Sequence, residues 1–276
     1  MQQKKLLPKY IFNWKGVAAL VGGYFFSSLI FAGITALSIF VFHKNLQYSE
    51  ASLLIGNILV FSTIIFAFDY FVCRPETGKK LNFNFSTTNF YTYLLVFPMM
   101  FGMMLVAEFF TNLLPVSGPF WGKMYEWFSE LMGMISKDFP TMIVMTVVMA
   151  PVFEEIIFRG IIQKGLINGG MKPVKAIWIS SIVFGLVHGN PWQFVGAVLL
   201  GFVLGTVYYK TKSLLLPMLL HGFNNLVSTL LIKYTDSESF SMAFHIPEWV
   251  VLVAGIFIFG VFYFLFMKKY KILYSE

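Results

Sequence analysis

The chain has 276 residues, 58% hydrophobic, 19% aromatic and only 12% charged, with a mean hydropathy of +0.74. Soluble domains carry about a quarter charged residues, so this composition excludes a disordered chain or a multidomain soluble enzyme and indicates a polytopic membrane protein. The net charge of +7 comes from short basic clusters between apolar runs, a membrane-topology pattern that argues against a nucleic-acid partner.

At ~20 residues per span, the length leaves room for about eight helices. Hydropathy predicts them near 17–42, 51–73, 91–114, 140–163, 174–188, 192–209, 213–232 and 247–267. The expected fold is therefore all-α: one integral membrane domain over 1–276, with N-terminal spans over 17–114 and a motif-bearing core over 140–232. The first span follows Lys4, Lys5, Lys9 and Lys15. It is too long for a signal-peptide core and lacks an A-x-A site, so it reads as a retained helix. Span two ends at Cys73, the sole cysteine, which excludes an intrachain disulfide. Asp69 near its end and Glu108 in span three are isolated interior acids.

Residues 115–139 form the longest connection outside the inner face. Ser117-Gly118-Pro119 opens a turn, and Trp121, Tyr125, Phe128 and Met132 recur at helical spacing, which predicts an interfacial amphipathic helix over 117–135. Span four carries Glu154, Glu155 and Arg159 in an otherwise apolar run. An ionisable group at the bilayer centre costs several kcal/mol or more, so this trio needs a chemical reason. Span five ends Phe184-Gly185-Leu186-Val187-His188. It rises only ~22 Å, short of a ~30 Å hydrocarbon core, before Gly189-Asn190-Pro191 breaks it. Irregular backbone at that depth requires burial in protein or access to water, which predicts a polar cavity near His188. In span six, Ala197, Gly201 and Gly205 share one face for close helix packing. Span seven carries His221-Gly222-Phe223-Asn224-Asn225.

With an even number of crossings and the N-terminus inside, the cytoplasmic side holds Lys4, Lys5, Lys9, Lys15, Arg74, Lys79, Lys80, Lys164, Lys172, Lys175, Lys210, Lys212, Lys268, Lys269 and Lys271. The opposite side holds only Lys44, Lys123, Lys137 and Lys233. This asymmetry predicts cytoplasmic termini.

Counting from the nearest cytoplasmic lysine, Glu154, His188 and His221 lie ~15, ~20 and ~13 Å deep, a common layer within the scatter of helix tilt. Glu155 and Arg159, four apart, are spaced for an ion pair. Glu154 is rotated by about 100° onto another face. His221 and Asn225 present an imidazole and an amide side by side, and Phe184 walls the face of His188. A partly desolvated carboxylate can serve as a general base, a histidine can pass the proton on, and a His/Asn pair can stabilise a developing oxyanion. These residues suit hydrolysis by water without a serine or cysteine nucleophile.

The segments Glu-Glu-x-x-x-Arg (154–159), Phe-x-x-x-His (184–188) and His-x-x-x-Asn (221–225), in this order on separate apolar helices, resemble the CPBP family over roughly 140–232. That family includes CAAX prenyl endopeptidases of the Rce1 type and bacterial, Abi-like proteins tied to bacteriocin processing and self-immunity. The resemblance implies an intramembrane glutamate-type endopeptidase in which Glu154 and His188 activate water. His221 and Asn225 would hold the oxyanion, with Glu155, Arg159 and Phe184 in support. The implied substrate is a membrane-associated, lipidated or unlipidated peptide or protein, and the implied setting is a bacterial cell membrane. No cofactor is expected. Two histidines and a glutamate could instead hold a catalytic zinc, although no H-E-x-x-H pair is present. A non-catalytic immunity or scaffold protein of the same fold and a proton-coupled transporter are the other readings. The sequence leaves the oligomeric state open.

Overall fold

The computed structural model describes residues 7–43, 49–135, 138–235, 237 and 239–270. Lys4, Lys5, Lys44, Lys137 and Lys271, counted in the charge asymmetry, lie outside the described residues. Every regular element among the described residues is helical. We number the helices α1 (Trp14–Phe42), α2 (Glu50–Thr77), α3 (Phe90–Asn112), α4 (Trp121–Ile135), α5 (Phe139–Asn168), α6 (Pro173–Leu186), α7 (Pro191–Thr211), α8 (Leu215–Thr235), α9 (Phe240–Phe244) and α10 (Glu248–Lys269). Seven of them, all but α4, α6 and α9, are long and apolar enough to cross a membrane, so the chain is an integral membrane protein. The predicted fifth span is the exception: α6 has 14 residues, as its early break anticipated.

The chain divides into two compact units, Met1–Asn84 with Val152–Lys172 and Phe85–Pro151 with Pro173–Glu276. In the first unit α1 pairs with α2. A Cβ on Gly23 would stand 3.0 Å from the Ile64 Cα, so this glycine permits close backbone approach. Asp69 is tied up locally at the end of α2. Its Oδ2 accepts from Arg74 at 2.6 Å and its Oδ1 accepts from the Leu81 N–H at 2.7 Å. That pairing explains an acid near the interface without invoking chemistry.

In the second unit α3 is the central helix. Its Leu95, Val96, Met99, Met100 and Met103 form one buried cluster with Val203, Leu204 and Val207 of α7, Leu216 and Leu220 of α8, and Phe266 of α10. Helices α3 and α10 meet backbone to backbone. A Cβ on Gly102 would lie 2.5 Å from the Phe259 nitrogen, and one on Gly255 would lie 2.9 Å from the Gly102 oxygen. Glu108 has a structural explanation too. Its carboxylate accepts from Ser239 Oγ at 2.7 Å and from the N–H groups of Phe240 and Ser241 at 3.0 and 2.9 Å, satisfying the open donors at the start of α9. At the start of α5, Asp138 accepts from the Thr141 N–H at 2.8 Å, and its hydrogen bonds to Thr141 hold its carboxyl below the usual carboxylate range.

The connection before α5 is helical as predicted, but α4 starts at Trp121, after a turn through 117–120. Its aromatic stripe is committed to protein. The rings of Trp121, Tyr125 and Phe128 stand 6.3, 5.0 and 5.9 Å from that of Trp192 at the start of α7.

Gly102→Ala forces a methyl group into the Phe259 backbone. It is expected to destabilise the protein by about 1–3 kcal/mol, read as a lower thermal midpoint in detergent, whereas the same change at Gly33, where nothing lies within 4 Å, leaves the midpoint unchanged.

Candidate active site

The helix carrying the two adjacent acids is not a uniform α-helix. Within α5, residues Ile143–Met149 and Ile156–Gln163 are π-helical, flanked by α-helical turns. In a π turn each N–H reaches back five residues rather than four. Where the ladder returns to α pairing, one carbonyl is skipped. At the first exit the Ala150 N–H bonds the Met145 carbonyl, so the skipped carbonyl is that of Thr146. At the second the Lys164 N–H bonds the Arg159 carbonyl, so the skipped one is Gly160. The wider ladder also shortens the rise per residue, which makes ~15 Å an upper limit for Glu154 above Lys164.

In the first unit, Arg159 Nη1 donates to Glu155 Oε1 at 2.7 Å, with both side chains fully buried. The four-residue spacing therefore delivers the expected ion pair even where the helix widens. Glu154 is only half-buried, so the neighbouring acids have separate environments, and its charge also acts on Arg159. One turn beyond Arg159, Gln163 is also fully buried. It continues the polar stripe of Glu155 and Arg159 at the same four-residue interval, a periodicity that could have identified it from sequence.

In the second unit, α6 carries Phe184 and leads into His188. Gly185 makes that approach possible: a Cβ there would lie 2.7 Å from Val198 Cγ2 and 3.0 Å from the Phe194 oxygen of α7. The break is built by three residues in sequence. Gly189 takes φ +71°, favoured by glycine. Asn190 caps α7 by accepting from the Gln193 N–H at 2.9 Å and donates to the His188 carbonyl at 3.1 Å. Pro191 then occupies the first helical position, where its missing N–H costs nothing.

This turn fixes the His188 ring. Its Nδ1 lies 2.8 Å from the Phe184 carbonyl oxygen. A carbonyl can only accept, so Nδ1 carries the hydrogen, and in the neutral ring Nε2 presents a lone pair. The Phe184 ring meets both imidazoles edge to face, at 5.0 Å and 90° for His188 and at 5.5 Å and 83° for His221. Two histidines distant in sequence thus flank one phenyl ring. Sequence reasoning placed Phe184 beside His188 and missed its contact with His221.

Asn225 is engaged as well. Its Nδ2 donates to the skipped Thr146 carbonyl at 2.7 Å, and its Oδ1 accepts from Asn224 Nδ2 at 2.9 Å. One Nδ2 hydrogen remains for another acceptor. The adjacent Val147 carbonyl has its α-register donor position occupied by Pro151, which has no N–H. A Cβ on Gly222 would stand 2.8 Å from that oxygen. His221-Gly222 and Asn225 therefore dock α8 against two carbonyls that α5 leaves open.

Glu154, Glu155 and Arg159 belong to the first unit, and Phe184, His188, His221 and Asn225 to the second. Within either unit, no group of three or more His, Cys, Asp or Glu side chains among the described residues is arranged to hold a metal ion.

Glu155→Gln strands a buried guanidinium and is expected to cost about 3–5 kcal/mol, measured by unfolding in detergent. Asn225→Ala exposes the loss of its bond to Thr146 as about 1–3 kcal/mol of stability, and Gly222→Ala is expected to be destabilising by a similar amount through its clash with Val147.

Residues 136–227 match the family described as type II CAAX prenyl endopeptidase Rce1-like. Among curated proteins, the chain is similar to "Putative membrane peptidase YdiL" of Bacillus subtilis (strain 168), with 34% identity over 86 residues. That match covers 31% of this chain and 35% of the relative's length. No solved structure matches the chain significantly. All three motifs fall inside the matched segment.

Proposed function

We propose that the protein is an intramembrane endopeptidase that hydrolyses a peptide bond with a glutamate-activated water. The observation that carries this reading is the pair of imidazoles about Phe184, with His188 oriented so that Nε2 presents its lone pair. The family match and the membrane-peptidase relative support it.

In this reading Glu154 and His188 share one water. The water oxygen attacks the scissile carbonyl carbon while its proton passes to Glu154. The carbonyl oxygen becomes an oxyanion held by His221 and by the remaining Nδ2 hydrogen of Asn225. When the tetrahedral intermediate collapses, the C–N bond breaks and the leaving amine takes a proton delivered through His188. Glu155 and Arg159, bound to each other, keep the helix that presents Glu154 in register.

The substrate is a membrane-associated peptide or protein tail, lipidated or not, because its scissile bond must reach side chains on bilayer-spanning helices. The basic residues favour cytoplasmic termini and a reaction centre reached from the cytoplasmic side, and the relative in Bacillus subtilis supports a bacterial cell membrane as the setting.

Purified protein in lipid vesicles can be assayed with an internally quenched farnesylated peptide and its unfarnesylated twin. Glu154→Gln and His188→Ala are each expected to lower kcat/KM by about a hundredfold or more while leaving the thermal midpoint within a few degrees. Activity that survives both changes overturns the mechanism. Loss of activity to a strong chelator, restored by zinc, would replace carboxylate catalysis with a zinc-dependent one. A fully folded wild type that cleaves neither peptide, yet protects cells against a bacteriocin, would favour the immunity reading.

A further inference from the structure

We propose that Tyr10 is a positioning residue for this chemistry: its hydroxyl latches the carbonyl skipped at the second π exit and so fixes the turn that follows Glu154, Glu155 and Arg159. The inference rests on the peptidase reading above for its catalytic meaning, but its structural half stands independently.

Residues 7–12 precede α1 without helical structure. Pro8 and Tyr10 are buried while Lys9 and Ile11 are exposed, the alternation of an extended strap lying on a surface. That surface is the second half of α5 with the end of α2. Asn168 Nδ2 donates to the Tyr10 carbonyl at 2.9 Å, and the Ile11 N–H donates to Glu76 Oε2 at 3.0 Å. Gly165 lets the strap touch the helix: a Cβ there would lie 2.8 Å from the Phe12 nitrogen. The Tyr10 ring packs edge to face on Phe68 at 5.2 Å, and Lys164 Nζ stands 5.1 Å over it.

These contacts would anchor a phenylalanine at position 10 equally well. The hydroxyl does something more specific. It donates to the Gly160 carbonyl, the one that the ladder leaves over when Lys164 bonds Arg159. A buried carbonyl without a donor is costly, and far more so where no water is at hand. Without the hydroxyl, the turn relieves that cost by taking in water or by reverting to α pairing. Reversion gives the Gly160 carbonyl to the Lys164 N–H and, with one residue more taken up in α register, rotates the acids by about 100° relative to Lys164–Asn168. Tyr10 acts through Gly160 and Arg159 rather than on substrate.

The test compares Tyr10→Phe with Tyr24→Phe, a change on an exposed face of α1, in the full-length protein with the farnesylated quenched peptide. Tyr10→Phe is expected to lower kcat by about tenfold with KM within about twofold, the signature of misplaced catalytic groups rather than lost binding. Tyr24→Phe leaves both constants at the wild-type value. Hydrogen–deuterium exchange provides the independent readout: Tyr10→Phe speeds exchange of amides in 160–168 and leaves those of α8 unchanged. Unchanged exchange overturns the latch whatever the activity. Faster exchange with unchanged kcat overturns the positioning role while leaving the peptidase reading intact. A wild type that cleaves no peptide sinks the peptidase reading and with it the catalytic meaning, a failure distinguishable because the exchange experiment still reports the latch.

Discussion

Inside a bilayer every backbone carbonyl must find a donor within the protein, and α5 falls short of that condition at both of its π exits. Each of its π segments skips one carbonyl on returning to α pairing, and a side chain from elsewhere in the same unit donates to each skipped one, while the Val147 carbonyl opposite Pro151 faces Gly222. Asn225 of α8 reaches Thr146, and Tyr10 of the N-terminal strap reaches Gly160. The helix that carries the acids is therefore held by hydrogen bonds that a regular α-helix would have no use for. π-Helical turns are rare and concentrate at functional sites, and here they place polar demands where neighbouring elements can meet them.

The arrangement of charge follows the same economy. Glu155 and Arg159 neutralise one another in full burial, which makes the pair expensive to break while contributing little net stability against an apolar alternative. Glu154, one residue earlier, keeps partial exposure, as a group that exchanges protons with water requires. Asp69 and Glu108, the other interior acids, are each consumed by local hydrogen bonds that tether a loop or cap a short helix. Similar side chains in similar apolar surroundings thus have distinct duties: Asp69 and Glu108 serve local backbone donors, and Glu155 serves Arg159.

Asn225 has a structural task beside the one proposed for it. Its bond to Thr146 fixes α8 against α5, and its second Nδ2 hydrogen is the one assigned to the oxyanion in the proposed mechanism. Gly222 belongs to the same contact, since only a residue without a side chain fits against the Val147 carbonyl. The His-Gly-x-x-Asn run is in this light a docking motif, whatever donor role the proposed mechanism gives it, and it carries His221 beside Phe184.

Much was legible from the residues alone. Apolar run lengths and the spacing of lysines gave the helices and the short fifth one, because hydrophobic matching to a bilayer is a property of composition and length. Intrahelical spacing gave the Glu155–Arg159 pair, and Gly189-Asn190-Pro191 gave the break after His188, because these are contacts among near neighbours in the chain. What sequence could not supply were the π segments, since one extra residue in a turn leaves hydropathy almost unchanged, and the partners of the carbonyls they skip. Tyr10 meets Gly160 across 150 positions and Asn225 meets Thr146 across 79. The shared wall at Phe184, which brings His221 of α8 to the ring beside His188, belongs to the same class. These contacts depend on where separate elements come to rest, which only tertiary packing decides.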